Sequence, residues 1–152
     1  MSSEDFLSEL ETLFMAFSDK TRLRLLNLMR EDEICVCFFT EILGESQPKI
    51  SRHLAYLRNA GLVSARRDGK WMHYRIEEPE NIFAAQILRE TLDALANQDN
   101  MREDHDNLIN ACCSLEVPTT IERAPKPETL LEANMFNKYV REAEIELETY
   151  LL

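Results

Sequence analysis

The stretch that decides the fold is Gly44-Glu45-Ser46-Gln47-Pro48-Lys49-Ile50-Ser51-Arg52-His53-Leu54. Gly44 is suited to ending a helix, because glycine adopts a left-handed backbone at low cost. Ser46 is a typical N-cap residue, and Pro48 falls in the first turn of the next helix, where a missing N–H costs nothing. Apolar residues then recur at helical spacing. The stretch therefore predicts two helices joined by a tight turn, the second running from about residue 47 to 59.

Upstream of this turn, the apolar pattern predicts three helices. The pattern starts at Ser3, is interrupted at Ser18 and Asp19, which can cap a second helix, and continues to Met29. A polar break follows, and residues 34–43 are then predicted to form a short third helix.

Downstream of this turn, the sequence predicts a β-hairpin. The runs Leu62–Arg66 and Trp71–Ile76 contain β-prone residues and flank Arg67-Asp68-Gly69-Lys70. Asp-Gly between two such runs is the strongest short-range signal for a hairpin. The predicted order up to this point is four helices and then two strands.

The C-terminal part contains two further apolar stretches and a break. A long amphipathic helix is predicted after Pro79, and a second apolar stretch ends in Cys112-Cys113. Residues 117–127 contain two threonines and three prolines, which is typical of a linker. Residues 128–152 are predicted to form a separate amphipathic helix. The fold class is therefore mainly α, a winged helix-turn-helix of order α-α-α-α-β-β-α with an additional C-terminal helix.

Charge is distributed unevenly along the chain. The net charge is −11, yet residues 47–75 contain seven lysines and arginines and one aspartate. Phosphates respond to the local potential, so a basic segment in an acidic chain is typical of a nucleic-acid binder. The alternative is a solvated basic surface without a partner.

The polar face of the predicted fourth helix is the candidate reading element. In a helix-turn-helix, the second helix lies in the major groove. The candidate residues on it are Ser46, Gln47, Lys49, Ser51, Arg52, His53 and Tyr56. Glutamine can bond adenine and arginine can bond guanine through two hydrogen bonds, and serine and lysine suit phosphates. His53 is ambiguous, because it can face DNA or satisfy a local partner.

The tip of the hairpin is basic as well. Arg66, Arg67 and Lys70 surround the predicted turn. A wing of this kind would reach phosphates or the minor groove, where narrow tracts attract arginine.

Residues 13–76 resemble the ArsR/SmtB family of metal-sensing repressors. The resemblance is carried by Phe17–Leu26, similar to the family's LADPTRLRLL, by Glu33–Cys37, similar to its ELCVC, by Ser46–Leu54, and by Gly69–Ile76. It implies a homodimer joined mainly through the first helix and the long helix after the wing. It also implies binding to an inverted-repeat operator in double-stranded DNA without inducer, and release with it. Residues 1–96 would then bind DNA and dimerise, and residues 97–152 would be an extension.

Cys35 and Cys37 are the first candidate metal ligands. Thiolates suit soft ions such as arsenite, antimonite, zinc, cadmium or lead, and a helix N-terminus lowers the pKa of a thiol. Two residues two apart on an ideal helix point about 200° apart around its axis. We therefore expect both sulfurs to hold one ion only if binding unwinds the start of the third helix, so that ion and operator compete.

The second candidate pair, Cys112 and Cys113, follows from a departure from the family pattern. The arsenite-sensing form often reads ELCVCDLC, whereas here Phe38 stands at the aspartate and Thr40 at the third cysteine. The missing thiolate could come from Cys112 or Cys113, within the chain or across the dimer. Two ligands could also suffice for a methylated arsenical, or for arsenite with another donor. The alternative is that this pair packs in the core of the last helix, since free cysteine is commonly buried.

These observations predict a repressor that arsenite releases from its operator, with antimonite as a second candidate inducer. The same repressor could instead sense a soft divalent metal or thiol oxidation, and a winged helix that only binds proteins is a weaker alternative. No catalytic set stands out, and neither cysteine pair has the Cys-x-x-Cys spacing of a thiol–disulfide enzyme, so no enzymatic activity is expected. The chain has no apolar run of about 18 residues and no signal-peptide core, so we expect a cytoplasmic protein without a membrane partner.

Overall fold

The computed structural model describes residues 2–113, 118, 120–130 and 132. Its elements are, in chain order, α1 (Ser3–Phe17), α2 (Lys20–Leu28), β1 (Ile34–Cys35), α3 (Val36–Leu43), α4 (Gln47–Asn59), β2 (Val63–Asp68), β3 (Trp71–Ile76), α5 (Ile82–Ala96) and α6 (Asp99–Cys113). The predicted winged helix-turn-helix is confirmed: α3 and α4 form the helix-turn-helix, and the antiparallel hairpin of β2 and β3 is the wing.

The turn between α3 and α4 has the predicted chemistry. Gly44 follows α3 with φ 65° and ψ 25°, and its N–H bonds the carbonyl of Thr40. Only glycine adopts this left-handed conformation without strain. Ser46 occupies the N-cap of α4 with an extended backbone, although its hydroxyl makes no capping hydrogen bond.

The sheet contains one strand that the sequence analysis missed. Its order is β1-β3-β2, and both pairings are antiparallel. The prediction that residues 34–43 form one helix is therefore wrong at its start, because Ile34 and Cys35 pair with Tyr74 and His73 on β3. The two-residue strand β1 is thus an edge of the wing sheet.

The turn of the hairpin lies one residue further along than predicted. Arg67 and Asp68 belong to β2, and the connection is Gly69-Lys70. Gly69 has φ 57°, and no other residue type has a positive φ among the described residues. A positive φ at the first of two central residues alone is the pattern of a type II′ hairpin turn.

The core joins the helix-turn-helix to α6. Phe38 and Phe39 of α3 are buried with Leu54 of α4, and Leu108 and Cys112 of α6 belong to the same cluster. Two polar contacts fix α6 to α2 as well. Arg24 donates two hydrogen bonds to Asp104, at 2.7 and 2.8 Å, and Asn27 donates to the carbonyl of Met101 at 2.9 Å.

The segment after α6 packs on this core where the structure describes it. Ile121 and Leu130 are buried in the cluster, so part of the predicted linker at 117–127 contacts the fold. Thr120 donates to Glu41 at 3.0 Å, and the backbone N–H of Thr129 donates to Asp32 at 2.9 Å. Residues 128–130 and 132 are helical, and the rest of the helix predicted for 128–152 lies outside the described residues. None of the helices within the described ranges has the length and apolar character needed to cross a membrane.

Candidate nucleic-acid interface and thiol site

The outward face of α4 carries the first group of predicted DNA contacts. Gln47 and Arg52 are exposed, and Ser51 is half-buried. Lys49 is held by Glu45, whose Oε1 lies 2.8 Å from its Nζ. The buried side of the same helix consists of Ile50, Leu54 and Leu57, which fixes the polar face outward.

His53 and Tyr56 have local partners instead. The Nδ1 of His53 lies 3.6 Å from Oδ1 of Asp19, the residue that caps α2. The guanidinium of Arg22 stacks over the ring of Tyr56 at 4.2 Å. Both side chains therefore orient α4 against α2. For His53, a local partner is one of the two alternatives that the sequence allows.

The wing tip carries the second group of predicted contacts. Arg66, Arg67 and Lys70 are exposed. Arg67 donates from Nε to the carbonyl of Gly69 at 3.1 Å, and Lys70 lies over the ring of Trp71 at 4.9 Å. These contacts keep the basic groups extended along the hairpin.

Glu33 is a neighbour of Arg66 that the sequence analysis did not single out. Arg66 donates to Oε1 of Glu33 from Nε at 3.0 Å and from Nη2 at 2.6 Å. The hydrogen bond from Arg66 is the main reason that the pKa of Glu33 is lowered. The two residues are far apart in sequence, so only the pairing of β1 with β3 reveals the contact.

The structure brings the sulfurs of Cys35 and Cys37 together. Cys35 ends β1 and occupies the N-cap of α3 with φ −68° and ψ 139°. Because its backbone is extended rather than helical, the expected divergence of about 200° is wrong. The Sγ of Cys37 donates to the Sγ of Cys35 across 3.1 Å.

This arrangement shifts the pKa values of the two thiols in opposite directions. The hydrogen bond from Cys37 lowers the pKa of Cys35 to about 7, and the backbone amides of Cys37, Val36 and Met72 act in the same direction. The pKa of Cys37 is raised, because its proton is held by Cys35 and because burial disfavours its charged form. Above about pH 7 the pair therefore shares one thiolate with one bound proton.

The spacing of the pair fits a soft ion. Two thiolates bound tetrahedrally with bonds of about 2.3 Å lie about 3.8 Å apart. The sulfurs, at 3.1 Å, need to separate by less than an ångström to reach that spacing, and α3 need not unwind.

Cys112 and Cys113 lie in a different environment. Cys112 is fully buried in the core, and burial raises its pKa to about 12. Cys113 is half-buried at the end of α6. Within the described ranges, no three histidine, cysteine, aspartate or glutamate side chains gather as a metal site. The structure thus assembles the first pair but does not gather a third ligand beside it.

Apolar side chains remain exposed on α1 and α5. They are Leu7, Phe14, Met15, Ile82 and Phe83. The rings of Phe6 and Phe83 meet edge to face at 6.0 Å, so the two helices are in contact beside some of these exposed side chains. Exposed apolar patches of this kind mark protein interaction sites.

The sequence matches a family model and a known repressor. The model of the bacterial regulatory protein arsR family matches residues 19–65. The arsenical resistance operon repressor of Escherichia coli strain K12 is 42% identical over 103 residues, which are 67% of this chain and 86% of that protein.

Solved structures resemble this fold as well. The transcriptional repressor BigR from Xylella fastidiosa superposes with a TM-score of 0.53 at 30% identity, covering 63% of this chain and 92% of that one. The AntR antimony-specific transcriptional repressor gives a TM-score of 0.50 at 29% identity, covering 62% of this chain and 82% of that one. By name, these proteins are regulators and repressors, which agrees with the prediction that this chain is not an enzyme.

Proposed function

Because the chain belongs to the arsR family of bacterial regulatory proteins, we propose that it is a homodimeric repressor that trivalent arsenic releases from its operator. The ion would bind Cys35 and Cys37 as thiolates, and trivalent antimony would act in the same way. The single observation that carries this proposal is the 3.1 Å approach of the sulfur of Cys35, at the end of β1, to that of Cys37 in the first turn of α3.

DNA binding is supported by the charge and orientation of α4 and the wing. Gln47, Lys49, Ser51 and Arg52 face outward at the start of the reading helix, where base edges are contacted in helix-turn-helix proteins. Ser46 precedes them at the N-cap, where it can contact a phosphate. His53 and Tyr56 contribute by positioning the helix, and Arg66, Arg67 and Lys70 reach along the wing toward phosphates.

Dimerisation is supported by the apolar surface on α1 and α5. Burying Leu7, Phe14, Ile82 and Phe83 against a second copy would remove them from water. A twofold dimer presents two reading helices to successive major grooves about 34 Å apart, which matches an inverted repeat. The name of the AntR neighbour, an antimony-specific repressor, supports a metalloid as the inducer.

The cysteines bind the inducer in this proposal because they are soft donors prepared for ligation. Cys35 supplies a thiolate at neutral pH, and the half-buried Cys37 is the more accessible sulfur and must lose its proton. The bound ion supplies the positive charge that favours this loss.

A third thiolate would come from the pair at the end of α6. Cys113 is the better placed of the two, because it is half-buried while Cys112 is enclosed by the core. The donor can come from the same chain or from the partner of the dimer.

Two alternatives keep the repressor and change its signal. A soft divalent ion such as cadmium, lead or zinc would use the same sulfurs. Oxidation would instead join Cys35 and Cys37, which already lie close together. The geometry suits a metalloid, a soft divalent ion and oxidation, so the experiment must test all three signals.

The test is operator release measured by fluorescence anisotropy. Operator duplexes are obtained by in vitro selection with the purified protein and titrated with arsenite, antimonite, cadmium, lead and zinc under reducing conditions. We expect release at the lowest concentration with arsenite or antimonite, and release of Cys35→Ser only at far higher concentrations. Release by peroxide, together with no release by any ion under reducing conditions, would identify a redox sensor instead.

A further inference from the structure

Three residues in one row connect the thiol pair to the wing. Cys35 on β1 lies opposite His73 on β3, and His73 lies opposite Arg66 on β2. Adjacent strands are about 4.8 Å apart, so the backbone of Cys35 is roughly 10 Å from that of a predicted DNA contact. The strand that supplies the thiolate is therefore part of the sheet that supplies the wing.

A side-chain contact beside this row also joins the residues next to β1 to β2. Glu33, two residues before Cys35, accepts both hydrogen bonds from Arg66 through one oxygen. Arg66 keeps 56% of its side chain exposed, whereas Glu33 keeps 25%. Glu33 is thus the more buried member of the pair, and its oxygen holds the more exposed guanidinium.

His73 fills the space between these groups. Its side chain is only 6% exposed, with Nδ1 at 4.0 Å from Glu33 and Nε2 at 3.9 Å from Asp68. Close-packed interiors absorb little displacement, so a buried ring beside β1 leaves a shifted Glu33 few alternative positions.

We infer that Glu33 is a positioning residue that couples the thiol pair to the wing. It orients Arg66 for a phosphate contact while the thiols are free. When Cys35 and Cys37 separate to ligate an ion, β1 shifts, Glu33 moves with it, and Arg66 loses its anchor. This inference rests on the proposed function, because it assumes that the thiols bind the inducer.

A double-mutant cycle tests the inference. Glu33→Gln, Arg66→Gln and the double variant are compared for operator affinity, first without ion and then saturated with arsenite. Without ion, each single variant should bind roughly tenfold more weakly, about the size of one charge-assisted hydrogen bond. The double variant should be no weaker than either single variant, because both remove the same contact. In the arsenite-loaded protein, neither variant should change the residual affinity.

Salt dependence gives a readout that a merely structural role would not move. Loss of one phosphate contact lowers the slope of log affinity against log salt by about 1. Glu33→Gln should lower the slope as much as Arg66→Gln does, although glutamate itself contacts no phosphate in this interpretation. Because the coupling between two ligands is reciprocal, the operator should weaken arsenite binding. This weakening should be smaller in Glu33→Gln than in the wild type.

A matched control is available on α6. Arg102 and Asp99 form an exposed ion pair there, outside the wing sheet. Asp99→Asn should leave the ion-free affinity, the salt slope and the response to arsenite unchanged. Because Arg66 is exposed, Arg66→Gln should fold normally even if Glu33→Gln does not. The test then rests on whether Arg66→Gln lowers the operator affinity without ion but not in the arsenite-loaded protein.

Two outcomes separate this inference from the proposed function. If the wild type is not released by arsenite, the proposed function fails and the inference fails with it. If the wild type is released but the effects of the two variants add, or persist unchanged in the loaded protein, only the inference is overturned.

Discussion

The two cysteine pairs of this protein differ in spacing and lie in different environments. Cys35 and Cys37 sit where a strand becomes a helix, with their sulfurs in contact and the pKa of one thiol lowered to about 7. Cys112 and Cys113 end a helix that packs on the core, and burial raises the pKa of Cys112 to about 12. Cys35 and Cys112 are equally buried, so the contrast shows that hydrogen-bond donors around the sulfur, rather than the presence of a cysteine pair, decide which thiol is prepared to ligate.

The first pair should respond most strongly to substitution. Cys35→Ser and Cys37→Ser should each raise the arsenite concentration for operator release by at least about 100-fold, because even partners that only orient a ligand are worth 10- to 100-fold. Release is measured by anisotropy, with operator affinity in the absence of ion as the control. A normal response in both variants would remove the sensor assignment altogether.

In the second pair, Cys112 should matter for stability. Cys112→Ser places a hydroxyl in the core, and the free energy of unfolding should fall by about 1–3 kcal/mol. Urea denaturation measures the change, and Cys113→Ser is the matched control, expected within about 0.5 kcal/mol of the wild type. Equal losses in the two variants would contradict the contrast in burial.

Cys113 should matter for the inducer rather than for the fold. If it supplies the third thiolate, Cys113→Ser should weaken the response to arsenite roughly tenfold, a smaller loss than at the assembled pair. Mixing Cys113→Ser with Cys35→Ser subunits tests which chain supplies the donor. A wild-type response in Cys113→Ser would leave the first pair as a two-sulfur site.

The smallest effect expected is spectroscopic. Because its pKa is lowered, Cys35 is a thiolate above about pH 7 and takes up a proton as the pH falls through that value. Ultraviolet thiolate absorbance of the reduced protein should show one step near pH 7, absent in Cys35→Ser and retained in Cys112→Ser. A step that survives in Cys35→Ser would mean that another thiol carries the charge.

Much of the fold could be predicted because its signals are local. Ser18 and Asp19 separate two helices, Gly44 ends α3, and Gly69 lies in the hairpin turn, so that α1, α2, α4 and the wing were predicted with small errors at their ends. Of the predicted DNA contacts, Ser46, Gln47, Arg52 and the wing residues are exposed and Lys49 and Ser51 are half-buried, since the apolar stripe on α4 fixes which face turns outward.

The missed strand and the missed contact of Glu33 share one cause. Ile34 and Cys35 look like the start of a helix because they precede a helical pattern, and a two-residue strand has no periodicity of its own. Its conformation is set by pairing with β3, about 40 residues later in the chain. The same long-range pairing brings Glu33 to Arg66, which no local pattern indicates.

The sequence by itself determined the helix-turn-helix, the basic wing and the two thiol pairs, because turn residues and apolar spacing act within a few residues of the chain. Only the tertiary structure decided that Cys35 lies in a strand, that its sulfur meets Cys37, and that α6 encloses Cys112. These features depend on hydrogen bonds and burial between segments far apart in sequence. Their free energy is gained only once the whole chain has folded, so local patterns carry no record of them.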